Sequence, residues 1–430
     1  MRILVVGNGG REHTLLWKLN RDLPNAKLFA TQPNGGMAEL AEAVEISPMD
    51  LEALAGWAAS RVMDLTVVGP EAPLAAGIAD RFQAKGLPVF GPTAAAARIE
   101  SSKSFAKELM RNAGVPTADF RVFRDHEAAE EHIRERGAPV VVKASGLAAG
   151  KGAIVCDTVE QACRAARQML VDLRFGEAGR EVVVEECMRG EELSVFALTD
   201  GRAFLTLLPS QDHKRLGEGD TGPNTGGMGS YAPVSLATPE LMREVEERIL
   251  LPTLRALEAE GSPFQGLLYA GLMLTEEGPK VVEFNCRFGD PETQAVLPLM
   301  ANSLLEPLAA IAEGESVSGC DLRWHEGGAV TTVLASRGYP DSYEKGKPIF
   351  VPPDLARDPL LLLFHAGTSR STGSLVTSGG RVLAVTGMGD SLDEAARKSL
   401  AGAEAVDFEG KYFRPDIGWR EFARDEWGRP

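Results

Sequence analysis

Glu283, Asn285 and Arg287 stand at alternate positions in the segment VVEFNCRFGDPET. Side chains alternate between the two faces of an extended strand, so we expect these three on one face and Val282 and Phe284 on the other. A carboxylate and an amide oxygen suit a small hard cation such as Mg²⁺, with phosphate oxygens and water completing its coordination. Arg287 can then bind a carboxylate or a phosphoryl group bidentately. The alternative is a surface strand in which Glu283 and Arg287 form a salt bridge.

A glycine-rich segment, KASGLAAGKG, lies between two apolar strand patterns. It contains two lysines and three glycines, namely Lys143, Gly146, Gly150, Lys151 and Gly152. The spacing is not that of a Walker A loop, and a strand follows instead of a helix. Such a hairpin can lie over a nucleotide as a mobile lid, with its N–H groups and lysine facing phosphates. The alternative is a flexible hairpin with a solvated lysine.

GNGG at residues 7–10 resembles a dinucleotide fingerprint but fails it, because Glu12 stands where the third glycine would be. The segment is either a tight strand-to-helix turn or a phosphate seat at a helix N-terminus. Arg11 could bind that anion, and a solvated or salt-bridged arginine is the alternative.

Two acidic pairs flank a chain bend at 189–190: Glu185 with Glu186, and Glu191 with Glu192. A crossover of this kind can present backbone groups to an adenine edge and a carboxylate to ribose hydroxyls. Surface acids are common, so a solvated face is the alternative.

The loop at 210–233 is long for a compact domain, and such loops are usually functional or disordered. Its apolar flanks disfavour disorder. Six glycines alternate there with polar residues, namely Asp212, His213, Lys214, Arg215, Asn224 and Thr225.

The composition is that of a soluble globular protein: 430 residues, 44% hydrophobic and 25% charged. A net charge of −16 argues against binding to nucleic acid or to an anionic membrane surface. Five scattered cysteines indicate a reducing compartment. The ILVV run is too short for a signal peptide and LLLLF is too short to span a bilayer, so we predict a cytoplasmic protein.

The element pattern predicts a multidomain chain of α/β and α+β units. Short apolar strands alternate with helices in the first hundred residues, which indicates a doubly wound parallel sheet. Two α+β subdomains and a C-terminal α+β module follow. The predicted parts are 1–101, 102–190 with a lid subdomain from about 116, 191–318 and 319–430.

Six segments together carry a resemblance over nearly the whole chain: GNGGREH, VVGPEAPL, KASGLAAGKG, SQDHKRLGEGDTGPNTGGMG, GLLYAGLM and EFNCRFGDPETQ. They resemble the phosphoribosylamine–glycine ligase family, ATP-grasp enzymes of purine synthesis. One position departs from the family pattern, since Ser145 stands where Asp is usual, so this chain has no acid there. The grasp core would be two α+β subdomains around ATP.

The resemblance implies a nucleotide and metal site. Lys103 and Lys143 would contact the ATP phosphates, and the segment with Gly146, Gly150, Lys151 and Gly152 would fold over them. The adenine and ribose would lie against Glu185, Glu186, Met188 and Glu192, with Glu191 as the rival for the ribose. Glu283 and Asn285 would hold Mg²⁺ or Mn²⁺.

The resemblance also implies a substrate site. Arg287 would face the glycine carboxylate, and Arg287, Asp212 and Lys143 would act in catalysis. The phosphoribosylamine would lie against residues from two parts of the chain: Asn8, Gly9, Gly10, Glu71, Asp212, Lys214, Asn224, Thr225, Gly226, Gly227 and Met228.

The implied reaction joins glycine to 5-phosphoribosylamine with ATP through glycyl phosphate, giving glycinamide ribonucleotide, ADP and phosphate. The expected partners are these small molecules, in a monomer that associates weakly with neighbouring pathway enzymes. Rival readings are a carboxylase that uses bicarbonate, a non-catalytic nucleotide-binding regulator and, weakest, a dehydrogenase.

Overall fold

The computed structural model describes residues 1–148, 150–371 and 373–426. Its N-terminal part is a parallel sheet with helices on both faces. In spatial order the strands are Glu42–Val44, Lys27–Thr31, Arg2–Val6, Leu65–Val68 and Val89–Phe90. The helices are Gly10–Asp22, Leu51–Arg61, Glu71–Ala75, Ile78–Gln83 and Ala94–Ser101. The apolar strands are buried on both faces, as continuous runs of Ile, Leu and Val require.

Next comes a four-stranded antiparallel sheet that carries the glycine-rich segment. Its strands, in spatial order, are Phe120–Phe123, Val182–Glu186, Val140–Ala144 and Ala153–Cys156. Helix Lys103–Ala113 precedes it and ends at Gly114, whose φ of +68° favours glycine. Helices His126–Arg136 and Val159–Leu170 pack on it.

A second antiparallel sheet carries the predicted metal ligands. In spatial order it contains Phe204–Thr206, Glu191–Thr199, Gly266–Thr275 and Gly278–Asn285. A helix runs through Pro239–Val245, a π-helical turn at Glu246–Leu250 and Leu251–Ala259. Two further helices follow, Glu292–Val296 and Leu305–Glu313.

The C-terminal sheet draws strands from two parts of the chain. Its path is Gln211–Asp212, Gly229–Ala232, Gly328–Ser336, Arg381–Gly389 and Leu361–His365, and Lys411–Tyr412 pairs with the third of these. The loop predicted at 210–233 is thus partly ordered into strands. Helices Leu392–Ala405 and Trp419–Glu426 complete this part.

Three two-stranded pairs stand apart from these sheets. They are Arg215–Gly217 with Thr221–Asn224, Ile349–Phe350 with Asp407–Phe408, and Thr368–Ser371 with Ser374–Thr377. The predicted fold class is confirmed, because a parallel N-terminal sheet precedes mixed α+β units. The boundaries between the parts stay a prediction. Across the described ranges, the helices are all too short or too polar to traverse a lipid bilayer.

Candidate active site

A cavity of about 470 Å³ lies where the antiparallel sheets, the N-terminal part and the C-terminal part meet. Most of the predicted site residues line it. They are Glu71, Lys103, Lys143, Gly150, Gly152, Glu185, Glu186, Met188, Glu192, Asp212, Lys214, Asn224, Thr225, Gly226, Glu283, Asn285 and Arg287. Seven others lie outside its lining: Asn8, Gly9, Gly10, Gly146, Lys151, Gly227 and Met228.

The strand Gly278–Asn285 presents Glu283 and Asn285 to the cavity. Gly271 pairs with Glu283 while Leu272 pairs with Val281, so Val282 is the extra residue of a β-bulge. The predicted alternation therefore fails at Val282, which lines the cavity while its neighbour Val281 takes the core position.

Cationic side chains from several elements shift the pKa of the Glu283 carboxyl. Burial alone would raise its pKa, but the net effect of the surrounding cations is to lower it. The cations responsible are Lys214, Lys103, Lys143 and Arg287. The carboxylate is therefore ionised at neutral pH.

The side chains of Glu283 and Asn285 fit a hard divalent cation. Within the described residues, neither side chain has an ion-pair or hydrogen-bond partner, so their oxygens are open to the cavity. In the same residues there is no group of three His, Cys, Asp or Glu side chains that could hold a metal alone. A cation at Glu283 and Asn285 would complete its coordination with oxygens of a bound phosphate and water.

Arg287 pairs with two carboxylates, neither of which is Glu283. Its Nε lies 3.2 Å from Glu71 Oε2, and its Nη2 lies 3.0 Å from Glu100 Oε1. Burial alone would raise the pKa of Glu71, but Arg287 and Arg11 lower it to about 2. The alternative Glu283–Arg287 salt bridge is therefore not the arrangement adopted.

Three lysines and one carboxylate form a charged cluster on one side of the cavity. Glu185 pairs with Lys143 and lies 2.6 Å from Lys107 Nζ. Lys103 donates to the carbonyl oxygen of Gly146 at 3.3 Å. Burial lowers the pKa of Lys107 to about 8, although Glu185 opposes the shift. Sequence reasoning missed Lys107, although it stands four residues after Lys103 and so shares its helix face.

Asp212 is a buried carboxyl with an unsatisfied oxygen. Its Oδ1 has no hydrogen-bond partner among the residues that the structure describes. Burial raises the pKa of Asp212 to about 8, and Glu292 and Glu192 act in the same direction against Lys214. Lys214 itself pairs with Glu192. A buried acceptor without a donor indicates a place for a ligand N–H or O–H group.

The segment from Asn224 to Met228 is held by the C-terminal part. Gly227 has a φ of +105°, and a Cβ there would lie 2.4 Å from Pro291 Cδ. Arg381 donates to the carbonyl oxygen of Gly226, and to that of Asp290 at 2.7 Å. Sequence reasoning missed Arg381, because no local pattern links it to a segment more than 150 positions earlier.

The predicted lid contacts the C-terminal part. Lys151 Nζ donates to the carbonyl oxygen of Pro340 at 2.6 Å. Gly150 and Gly152 line the cavity, whereas Gly146 lies against Ala178, with its N–H donating to the Ala178 carbonyl at 3.1 Å. Residue 149 of this segment lies outside the described residues.

Several donors at and beside the GNGG turn have protein acceptors. The N–H of Gly9 donates to Glu12 Oε2 at 2.6 Å, and the N–H of Arg11 donates to Asp290 Oδ2 at 3.2 Å. Asn8 donates to the carbonyl oxygen of Gln32 at 3.2 Å. The role of Asn8, Gly9 and Gly10 in substrate binding stays a prediction.

Taken together, the site combines two hard oxygens open to the cavity, a cluster of cations and a buried carboxyl oxygen that has no partner in the described part of the chain. Cations and a metal ion stabilise charge that develops on phosphoryl oxygens. The cavity can therefore bind a metal-carrying polyphosphate and transfer a phosphoryl group to a second ligand.

Three family models match the chain. They are the N, ATP-grasp (A) and C domains of phosphoribosylglycinamide synthetase, over residues 1–100, 101–293 and 329–420. The phosphoribosylamine–glycine ligase of Nostoc sp. is 50% identical over 424 residues, covering 98% of this chain and 99% of that protein. That of Chlorobaculum tepidum is 47% identical over 422 residues, covering 97% and 99%.

Solved structures agree. The crystal structure of phosphoribosylamine–glycine ligase from Thermotoga maritima has a TM-score of 0.84 at 35% identity, covering 97% of this chain and 100% of that one. Biotin carboxylase from Campylobacter jejuni has a TM-score of 0.74 at 15% identity, covering 99% and 96%, a likeness of fold alone. The resemblance carried by the sequence motifs is therefore confirmed, and the chain belongs to the phosphoribosylamine–glycine ligase family.

Proposed function

We propose that this chain performs the reaction after which its family is named. It joins glycine to 5-phosphoribosylamine and converts ATP to ADP and phosphate, giving glycinamide ribonucleotide for purine synthesis. The proposal rests on the side-chain oxygens of Glu283 and Asn285, which are open to the cavity. The same cavity contains Lys103, Lys143 and Asp212, and Oδ1 of Asp212 has no partner among the described residues.

In the first step, a glycine carboxylate oxygen attacks the γ-phosphorus of ATP, and the bond to ADP breaks. Lys103 and Lys143 neutralise charge on the phosphate oxygens, and Arg287 orients the glycine carboxylate. Mg²⁺ or Mn²⁺, held by Glu283 and Asn285, would supply further charge neutralisation and alignment of the phosphates.

In the second step, the amine of phosphoribosylamine attacks the acyl carbon of glycyl phosphate, and phosphate leaves. The nitrogen must lose a proton as the C–N bond forms. Asp212 is the acceptor in this proposal, because it lines the cavity, its Oδ1 has no partner among the described residues, and a carboxylate there can take the proton. Closure of the lid would keep water from the acyl phosphate.

The remaining roles divide between nucleotide and amine substrate. Glu185, Glu186 and Met188 edge the adenine. Glu192 holds the ribose, which is supported because Glu192 lines the cavity and its rival Glu191 does not. The phosphate end of the amine substrate lies against Asn8, Gly9, Gly10 and Glu71, and it is closed in by Asp212, Lys214 and the segment 224–228.

We also propose domain boundaries after residues 101, 190 and 318. The protein acts as a cytoplasmic monomer, and it associates at most weakly with neighbouring pathway enzymes. Mg²⁺ is the metal proposed at Glu283 and Asn285, with Mn²⁺ as a substitute.

The test is the release of ADP with each substrate omitted in turn. We expect release only when glycine and phosphoribosylamine are both present, with label from glycine entering the product. Incorporation of labelled bicarbonate would favour a carboxylase, and ATP binding without turnover would favour a regulator.

A further inference from the structure

The hairpin formed by strands Arg215–Gly217 and Thr221–Asn224 joins no larger sheet among the described residues, and its pairing register is irregular. A two-stranded hairpin alone is at best marginally stable in water. Asp212 and Lys214 come just before this hairpin and Asn224 ends it, and all three line the cavity. Asp212 itself pairs with Ser230 in the C-terminal sheet. The placement of Lys214 and Asn224, at the two ends of the hairpin, therefore depends in part on contacts that the hairpin makes elsewhere.

The C-terminal segment 412–420 supplies such contacts. The hydroxyl of Tyr412 donates to the carbonyl oxygen of Leu216 at 2.9 Å. At the turn of the hairpin, the N–H of Gly219 donates to Asp416 Oδ2 at 2.8 Å. The segment thus contacts the first strand and the turn of the hairpin.

Arg414 is the centre of this arrangement, and its side chain is 0% exposed. Its Nε and Nη2 donate to the two carboxylate oxygens of Asp416, at 2.8 and 2.7 Å. Its Nη1 donates to Asp220 Oδ1 at 2.9 Å and to the carbonyl oxygen of Arg215 at 3.0 Å. A buried guanidinium is tolerated only when its donors are paired in this way.

Two further contacts extend the link toward the cavity. The other oxygen of Asp220 accepts from Trp419 Nε1 at 3.2 Å. The N–H of Gly418 donates to Nε2 of His213 at 3.1 Å. His213 is buried and lies in sequence between the cavity residues Asp212 and Lys214.

We propose that Arg414 is a positioning residue for the amine substrate. Through Asp220 it fixes the hairpin, and the hairpin helps to hold Lys214 and Asn224 at the cavity. This inference rests on the proposed function, because that function places the amine substrate beside Lys214 and Asn224. Binding of the amine substrate would then depend on the C-terminal segment 412–420, although that segment does not line the cavity.

The test uses Arg414→Met and Asp220→Asn in the full chain. Asn suits the second position because Asp220 has a φ of +57°, which Asn tolerates well. We expect each variant to raise the KM for phosphoribosylamine, and the Kd for glycinamide ribonucleotide by calorimetry, on the order of tenfold. The KM for ATP should change by less than about twofold. The double variant should be affected less than the sum of the two single changes, because Arg414 and Asp220 share one contact.

Val406→Ala is the matched control, since Val406 is buried in the C-terminal core away from the hairpin. It should lower stability while leaving the ratio of the two KM values unchanged. Equal changes in both KM values, an unchanged KM for the amine, or the same selective shift in Val406→Ala would overturn the inference. If Arg414→Met does not fold, Asp220→Asn decides the matter. A wild-type chain without substrate-dependent ADP release would refute the proposed function instead.

Discussion

The carboxylate of Glu185 lies 2.6 Å from the ammonium of Lys107, and both side chains are almost fully buried. Burial alone would raise the pKa of Glu185, but Lys143 and Lys107 lower it, so the carboxylate is ionised. One buried anion therefore balances two cations at the wall of the cavity. Removing one partner of a buried pair is strongly destabilising, because it leaves an uncompensated charge.

Glu185→Gln should thus lower the free energy of unfolding by roughly 3 kcal/mol, measured by urea denaturation. Lys107→Met should also destabilise the protein, and the double variant should lose less than the sum of the two. Strictly additive losses would show that Glu185 and Lys107 act independently.

Glu283→Ala and Asn285→Ala should each reduce kcat/KM for ATP on the order of a hundredfold or more, through loss of metal-bound nucleotide. The fold should survive, because both side chains lack protein partners among the described residues. The measurement is a Mg²⁺ titration of activity, with circular dichroism as the folding control. Normal Mg²⁺ dependence in either variant would remove that residue from the metal site.

Asp212→Asn should raise the KM for phosphoribosylamine more than the KM for ATP, and it should also lower kcat. The amide keeps the shape of the side chain but cannot take a proton from the attacking amine. Initial rates with each substrate varied in turn provide the measurement. If the KM for the amine and kcat both equal those of the unmodified protein, Asp212 has no role in the site.

Stability should fall in mild acid partly because of His213. Burial lowers the pKa of His213 to about 3, and the nearby cation of Arg414 acts in the same direction. The pKa of an exposed histidine is about 6.5. Between these values the unfolded chain binds one more proton, so the free energy of unfolding falls as pH is lowered. The slope for this group is at most about 1.4 kcal/mol per pH unit. Urea unfolding between about pH 5 and pH 7 should show a shallower slope in His213→Gln, and equal slopes would contradict the assignment.

Lys151→Ala should raise the KM for ATP severalfold, because the contact of Lys151 with Pro340 ties the lid to the C-terminal part. Stopped-flow fluorescence of a labelled lid would report slower closure. Unchanged ATP kinetics would show that neither this contact nor the lysine's charge matters for ATP binding.

The regular elements around the site could be predicted from local pattern. The apolar strands of the N-terminal sheet and helix Lys103–Ala113 with its glycine end are signalled within a few residues. Most motif residues also meet in one cavity, since the glycine-rich segment, the acidic pairs and the Glu283 strand all contribute to its lining.

What could not be predicted depends on distant pairing. The bulge at Val282 arises from its register with Gly266–Thr275, which the alternation of one strand does not encode. Arg381 reaches Gly226 only because strand Gly229–Ala232 pairs with Gly328–Ser336 in the C-terminal sheet. Pairing across about a hundred positions leaves no local sequence signal.

The same strand pairing has a consequence for when the cavity can form during synthesis of the chain. The walls of the cavity extend in sequence from Arg11 to Arg381, so a nascent polypeptide still on the ribosome lacks a complete site until most of its synthesis is over. A fragment ending near residue 318 would possess Glu283 and the lysines yet miss one wall. To restore that wall, this fragment and a second fragment with the remaining residues would have to associate along the edge of strand Gly229–Ala232.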